Sequence, residues 1–377
     1  MIYLFWLAIF LIFYSYFGYP LILMILGLFK SKKINKGEIA PLITLFISAY
    51  NEEEIIRKKI ENSLNLDYPK DKLEIVVASE SDDNTNNIMK EYEGRGIKLF
   101  AYSGREGKQF TTYRTIPKCS GEIIVFSDAN AIYKKDALKK LSRNFNDFQI
   151  GCVSGELKYI NPRKVAIGES EGLYWKYEVF IKNLESKIQS VLGANGSIYA
   201  IRKKLYRPLS KYRGDDFELP IRIAQQGYGV VWEPEAISQE EVSPGTKEEF
   251  RRKVRISAWA WQSSLVLLKN SLRKFQLLLV FQLISHKILR WLVGFFLILI
   301  FFSNLFLLNI PFYLILFILQ IVFYSLAIFA YIRDRQGKKT TKITNLAYYF
   351  SMVNLACIIG VWRGIFCKQK PTWEKVR

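Results

Sequence analysis

Ile2–Phe29 is a near-unbroken apolar stretch, and further apolar stretches crowd the chain after residue 290, with a polar block at 37–245 between them. About 20 consecutive apolar residues suffice to cross a bilayer as a helix. A chain built this way folds as a polar domain held against a membrane. The first stretch has no basic start and no small-residue cleavage site, so a removable signal peptide is the weaker reading. Lys30, Lys32 and Lys33 follow it and predict that its C-terminal end faces the cytoplasm.

A formal charge of +20 requires an acidic partner. The basic residues gather beside apolar segments, at Arg251, Arg252, Lys253 and Arg255 and again at Arg333, Arg335, Lys338 and Lys339. That placement points to anionic headgroups or a phosphorylated substrate and away from nucleic acid. The four cysteines form no C-x-x-C pair and His286 is the single histidine, which argues against a zinc site or a disulfide framework. A structural role is expected for His286.

Within 37–245, runs with strand character alternate with helical patterns, which predicts an α/β domain with a largely parallel sheet. Strands are expected at 42–48, 73–79, 97–102, 122–127 and 156–160. The first helix is expected to open at Asn51, a capping residue followed by Glu52, Glu53 and Glu54, which suit the positive end of a helix dipole. Residues 168–189 read as an amphipathic helix. So do 247–268, where Phe250, Val254, Ala258, Trp261 and Leu265 recur at helical spacing. The division expected is an N-terminal membrane helix at 1–30, a cytoplasmic domain at 37–245, interfacial helices at 246–290, and membrane helices with a basic tail at 291–377. Candidate spans are 291–309 and 312–332. If 343–366 crossed as well, Lys368, Lys370, Lys375 and Arg377 would lie outside, against the positive-inside tendency. This segment is therefore expected to be re-entrant or interfacial, with a cytoplasmic tail.

Four groups of residues carry chemistry. Ala49, Tyr50, Asn51 and Glu52 close the first strand, and Glu80 ends the second with Asp82 close behind. Arg105 and Lys108 flank Gly107, a loop suited to a diphosphate. Asp128-Ala129-Asn130 ends the fourth strand with two oxygen ligands of the kind Mg²⁺ and Mn²⁺ take. Asp215 and Asp216 follow Gly214, and a carboxylate there can accept a proton from an incoming hydroxyl. Solvated surface charge for Lys108, an ordinary strand–helix turn for Ala49–Glu52 and a helix N-cap for Asp215 are the plain alternatives.

In this order, and with this membrane layout, the set resembles the membrane-bound family 2 glycosyltransferases, which include cellulose, chitin-oligomer, hyaluronan and poly-N-acetylglucosamine synthases. The resemblance implies a GT-A, Rossmann-like domain with transmembrane and interfacial helices. It implies that Ala49–Glu52 seat the donor's base and ribose, that Glu80 stands where an aspartate commonly meets uracil, and that Lys108 meets the diphosphate. Asp128 and Asn130 would hold Mg²⁺ or Mn²⁺, with Asn in place of the usual second Asp. Asp216 would be the general base, since Arg222 and Gly227 follow it at the family's spacing. Gly193–Tyr199 resembles the acceptor loop, and Trp175 and Tyr177 either stack on sugar or pack the helix. The polymerising members' Gln-x-x-Arg-Trp reads Arg252-Lys-Val-Arg255-Ile256 here. It keeps Arg255 as a donor contact, with Trp259 or Trp261 as stand-ins for the lost Trp, and short-to-medium products are expected.

The implied activity is inverting transfer of a sugar from a nucleotide donor, UDP-linked, to a growing β-linked surface glycan. Addition of one sugar to a membrane lipid is the alternative, and an inactive transporter or scaffold is the third. The expected location is the cytoplasmic membrane, multi-pass, with no nucleic-acid partner.

Overall fold

A computed structural model describes residues 1–160, 166–210, 212–241, 245–338, 340–366 and 372, with only the backbone at 166–171 and 173. Eight strands form one sheet: β1 (Ile43–Ala49), β2 (Leu73–Ser79), β3 (Ile97–Ala101), β4 (Ile123–Asp128), β5 (Ile132–Tyr133), β6 (Ile150–Ile160), β7 (Tyr199–Arg202) and β8 (Gly229–Glu241). Their order is β3-β2-β1-β4-β7-β6-β8-β5. The first four expected strands are found within a residue or two, and the fifth belongs to the longer β6. The sheet is largely parallel, as expected, with β5 and β7 reversed. β1, β2, β3 and β4 run parallel, while β7 runs antiparallel to both β4 and β6. Alternating patterns fix layers and leave strand direction open, because direction depends on where a connection re-enters the sheet.

Alternate residues of each central strand face opposite cores, as a period of two requires. Ile43, Leu45, Ile47, Val77 and Val125 pack on one side. Phe46, Val76, Ile124, Phe126 and Tyr199 pack on the other, with the Phe126 and Tyr199 rings stacked at 4.6 Å. The parallel strands place Ala49, Ser79 and Asp128 at one edge, where ligands bind in open α/β sheets.

The helix after β1 is Ile56–Leu64, so it starts five residues later than the acids predict. Asn51 takes a left-handed φ of 53° and its Oδ1 accepts the Asp82 N–H at 3.0 Å, tying the turn sideways to the β2 loop instead of opening a helix. The first apolar helix runs Ile2–Lys30, and three more of membrane-crossing length and composition are Leu277–Leu305, Pro311–Arg335 and Lys342–Phe366. The stretch 275–290, expected as an interfacial helix, is continuous with the candidate span that follows it. The amphipathic helix expected at 247–268 is Thr246–Arg273, and that at 168–189 is Ala166–Lys187. The basic tail and Cys367 lie outside the described residues.

Ile2–Lys30 and Leu277–Leu305 both lean on the domain. Tyr19 and Leu23 pack on Ile181 and Leu184 of Ala166–Lys187 and on Ile188 just beyond it. His286, 1% exposed, bonds Glu185 at 2.7 Å and stacks on Tyr19, so it is a structural anchor here.

Candidate active site

A cavity of about 580 Å³ lies over the carboxyl edge of the parallel strands. Ala49, Tyr50, Glu52, Glu80, Lys108, Asp128, Asn130, Asp216 and Arg255 all line it. Asn51 is not on that wall; its side chain holds the loop at Asp82. Asp82 is not on the wall either.

The loop before Lys108 is built around Glu80, which is buried. Its two carboxylate oxygens accept the backbone N–H groups of Glu106 (3.1 Å) and Gly107 (2.8 Å). Burial raises its carboxyl above the usual range, partly offset by those two bonds. Glu80 therefore shapes the loop before Lys108 as well as lining the cavity. Gly107 adopts a φ of 97° at the start of the helix Lys108–Thr115, a conformation that only glycine takes without strain.

Lys108 then reaches between two carboxylates, 3.0 Å from Asp128 Oδ1 and 3.5 Å from Asp215 Oδ2. Burial alone would discharge it, but Asp128 and Asp215 outweigh burial and hold it protonated well above the ordinary lysine value.

Gly214 precedes the helix Asp215–Ala224 with Asp215 in its first turn, so Asp215 is not the cap. Asp215 is 4% exposed and fully engaged. Tyr199 Oη donates to Oδ2 at 2.7 Å and Gln109 Nε2 to Oδ1 at 3.0 Å. Burial works against its charge, but Lys108, Tyr199 and Gln109 prevail and hold its carboxyl below the usual range. Asp216 points the other way. A Cβ on Gly196 would stand 3.2 Å from its Oδ2, so the loop approaches this carboxylate as closely as glycine permits. Burial, then the charge of Asp215, pushes Asp216 up to about 6, a value suited to a base near neutral pH.

Asp128 ends β4 with its side chain 40% exposed to the cavity, and Asn130 sits two residues on. Their oxygens are the hard donors that Mg²⁺ and Mn²⁺ take. Among the described residues no group of three or more His, Cys, Asp or Glu side chains forms a cage. A metal here would be held by Asp128 and Asn130 and completed by donor phosphates and water, which fits the site.

Behind that turn lies a residue the motif reading passed over. Lys59 is fully buried and donates to Ser127 Oγ (2.7 Å) and to the Ala131 carbonyl (2.6 Å), bracing both ends of the turn, with the Tyr133 ring 4.2 Å away. Its signal was present: Ile56, Lys59, Ile60 and Ser63 share one helix face, and all four are buried.

Much of the rest of the cavity wall belongs to the helices. Arg255 and Trp259 of Thr246–Arg273 line it, with the guanidinium 5.6 Å from the indole, whereas Trp261 is buried away from it. Burial, then Arg252, lowers Arg255 to about 10 against the pull of Asp128 and Asp216. Trp175 lines the wall and Tyr177 does not, its hydroxyl donating to the Tyr16 carbonyl at 2.8 Å. Tyr16, Trp291 and Asn354, from three of the apolar helices, complete this part of the wall.

A family model described as "Glycosyltransferase like family 2" matches residues 40–259. A protein of Bacillus subtilis (strain 168) named probable glycosyltransferase YdaM is 29% identical over 260 residues, 63% of this chain and 59% of that relative. A beta-monoglucosyldiacylglycerol synthase of Trichormus variabilis is 27% identical over 167 residues, 43% of this chain and 34% of that relative. The chain thus spans about a third to three-fifths of these relatives' lengths. Among solved structures, the mannosyltransferase PcManGT from Pyrobaculum calidifontis, in complex with GDP-Man and Mn²⁺, superposes with a TM-score of 0.71 at 19% identity. That match covers 97% of this chain and 99% of the other, a likeness of fold.

Proposed function

The chain belongs to the glycosyltransferase-like family 2, and on that premise we propose that it moves a sugar from a UDP-linked donor to a hydroxyl of a lipid-anchored acceptor. The observation that carries this reading is the shape of the cavity. It runs without interruption from Asp128 and Asp216 to Tyr16, Trp291 and Asn354, which stand on helices apolar enough to cross a membrane. Tyr16 is midway along a 29-residue helix, so the acceptor end opens at the level of lipid rather than of bulk solvent.

Asp216 accepts the proton as the acceptor oxygen attacks the anomeric carbon, and the sugar–phosphate bond breaks on the opposite side with its electron pair leaving on the diphosphate. Lys108 and Arg255 face that departing charge, while Tyr199 and Gln109 keep Asp215 in place beside the base. Asp128 and Asn130 would hold the Mg²⁺ or Mn²⁺ ion, which supplies further positive charge to the phosphates when bound. A cytoplasmic catalytic domain is supported by Lys30, Lys32 and Lys33 after the first apolar helix and by the supply of nucleotide sugars on that side.

Secretion of a long polymer through the helices is less well supported. Where Ile2–Lys30, Leu277–Leu305 and Pro311–Arg335 meet, Phe5, Ile9, Ile300, Leu307, Tyr313 and Leu316 form an apolar cluster, the opposite of a polar sugar path. Reconstituted protein supplied with labelled UDP-sugars in lipid vesicles tests the proposal. A product that partitions into organic solvent, heavier than a membrane lipid by one or a few sugars, supports it. A long water-soluble polymer would sink it, and absence of both transfer and donor hydrolysis would favour the scaffold reading.

A further inference from the structure

Lys342–Phe366 is long and apolar enough to cross a membrane, but its neighbours give it another direction. It runs side by side with Thr246–Arg273. Gly360 lies against Val254 and Ser257, Gly364 lies against Ala258 and Trp261, Ser257 Oγ is 3.5 Å from Cys357 Sγ, and Gln262 Nε2 donates to the Gly364 carbonyl at 3.2 Å. Contacts advance in step along both helices over about two turns, so the axes are nearly parallel and share one direction. Glycines at 360 and 364 allow that approach, since a Cβ on Gly360 would stand 2.8 Å from the Val254 carbonyl.

Pro311–Arg335 meets it at an angle. Phe323 pairs with Phe350 and Tyr331 with Tyr348, each at 5.9 Å. Eight residues of Pro311–Arg335, about 12 Å of axis, are thus set against two residues, about 3 Å, of Lys342–Phe366. On Leu277–Leu305, Gly294 faces both Asn354 and Ile358.

Thr246–Arg273 cannot be a span. It carries Arg251, Arg252, Lys253 and Arg255 within two turns, and it is bound to the catalytic domain by Ser263 Oγ on Glu218 (2.7 Å) and by Gln225 Nε2 on Ser271 Oγ (2.8 Å). A helix parallel to it does not cross either. The inner face of Lys342–Phe366, with Met352, Asn354, Ala356, Cys357, Gly360 and Val361, is buried, whereas Ile343, Leu346, Leu355, Trp362, Ile365 and Phe366 are exposed. A helix with one packed face and one bare apolar face suits the boundary of a bilayer.

We infer that Lys342–Phe366 lies flat in the boundary layer of the bilayer on the catalytic side, its outer face against lipid, and roofs the acceptor end of the cavity with Val353, Asn354 and Cys357. The described chain then crosses the membrane three times, and Phe366 stands on the same side as Asp216.

Spin labels on single cysteines test the inference in the full chain in vesicles. Ile343→Cys, Leu355→Cys and Ile365→Cys all place the label on exposed positions; Cys367 is replaced by serine, and the buried Cys119, Cys152 and Cys357 stay in place. Contrast between oxygen and an impermeant nickel chelate reports the depth of each label. A flat helix gives three similar, shallow depths. A deep label at residue 355 between shallow labels at residues 343 and 365, as 22 residues at about 1.5 Å each would produce in crossing the bilayer, overturns it. The readout needs no turnover, so a soluble acceptor would defeat the lipid-acceptor proposal and leave this result standing.

Discussion

Asp215 and Asp216 are adjacent in sequence and opposite in electrostatic fate. Asp215 is paid for by three donors and stays ionised, while Asp216 meets burial and its neighbour's charge and rises to about 6. A base works in its deprotonated form, so kcat/KM should fall as pH drops through about 6, measured in steady state at saturating metal. Asp215→Asn removes the repelling charge and should move that limb to lower pH. Asp216→Asn should lower kcat by about 10²–10⁴-fold, the range of a lost general base, while donor affinity by calorimetry changes little. Near-normal turnover of that variant would show that another group takes the proton. Asp128→Ala should weaken Mn²⁺-dependent UDP binding, measured by titration without acceptor, because it removes the charged member of the Asp128–Asn130 pair.

Elements hold these side chains through contacts that carry their own pH signature. Lys59 braces the Ser127–Ala131 turn from inside the core, and burial lowers it to about 7, with Asp128 and Glu240 pulling the other way. Its unfolded value is about 10.4. Between these values the unfolded chain binds the extra proton, so this group's contribution to folding stability rises with pH, by about 1.4 kcal/mol per unit at most. Lys59→Met removes the slope. The parent should gain stability relative to the variant between pH 7 and 9, seen as a widening difference in Tm. An unchanged difference would mean that Lys59 is charged in both states. On the acceptor side, Trp291→Ala should raise the acceptor KM while leaving the donor KM within about twofold, since Trp291 lines the cavity from the apolar helix Leu277–Leu305.

Across the whole molecule, the catalytic domain and the apolar helices form one working unit, because the cavity's wall is drawn from both. An acceptor headgroup presented on a bilayer lipid should be glycosylated faster than the same headgroup on a short soluble carrier, by about tenfold or more at equal bulk concentration, since the bilayer concentrates it at the cavity mouth. Equal rates would place the acceptor in solution.

Periodicity and charge in the sequence determined the α/β block, the central strands and the apolar helices, because burial and membrane partition act on runs of residues and leave a local pattern. Asp128 and Asn130 were marked by the strand that leads into them, and Lys108 and Asp216 by their resemblance to the family's motifs. Strand direction, the sideways turn of Asn51 and the second duty of Glu80 were decided only by the tertiary structure, because each depends on a partner about 30 or more residues away. For Lys342–Phe366 the basic residues that follow it already argued against a crossing, but the neighbour it packs on, Thr246–Arg273, came only from the tertiary structure, because hydrophobicity records how much surface must leave water and not which neighbour covers it.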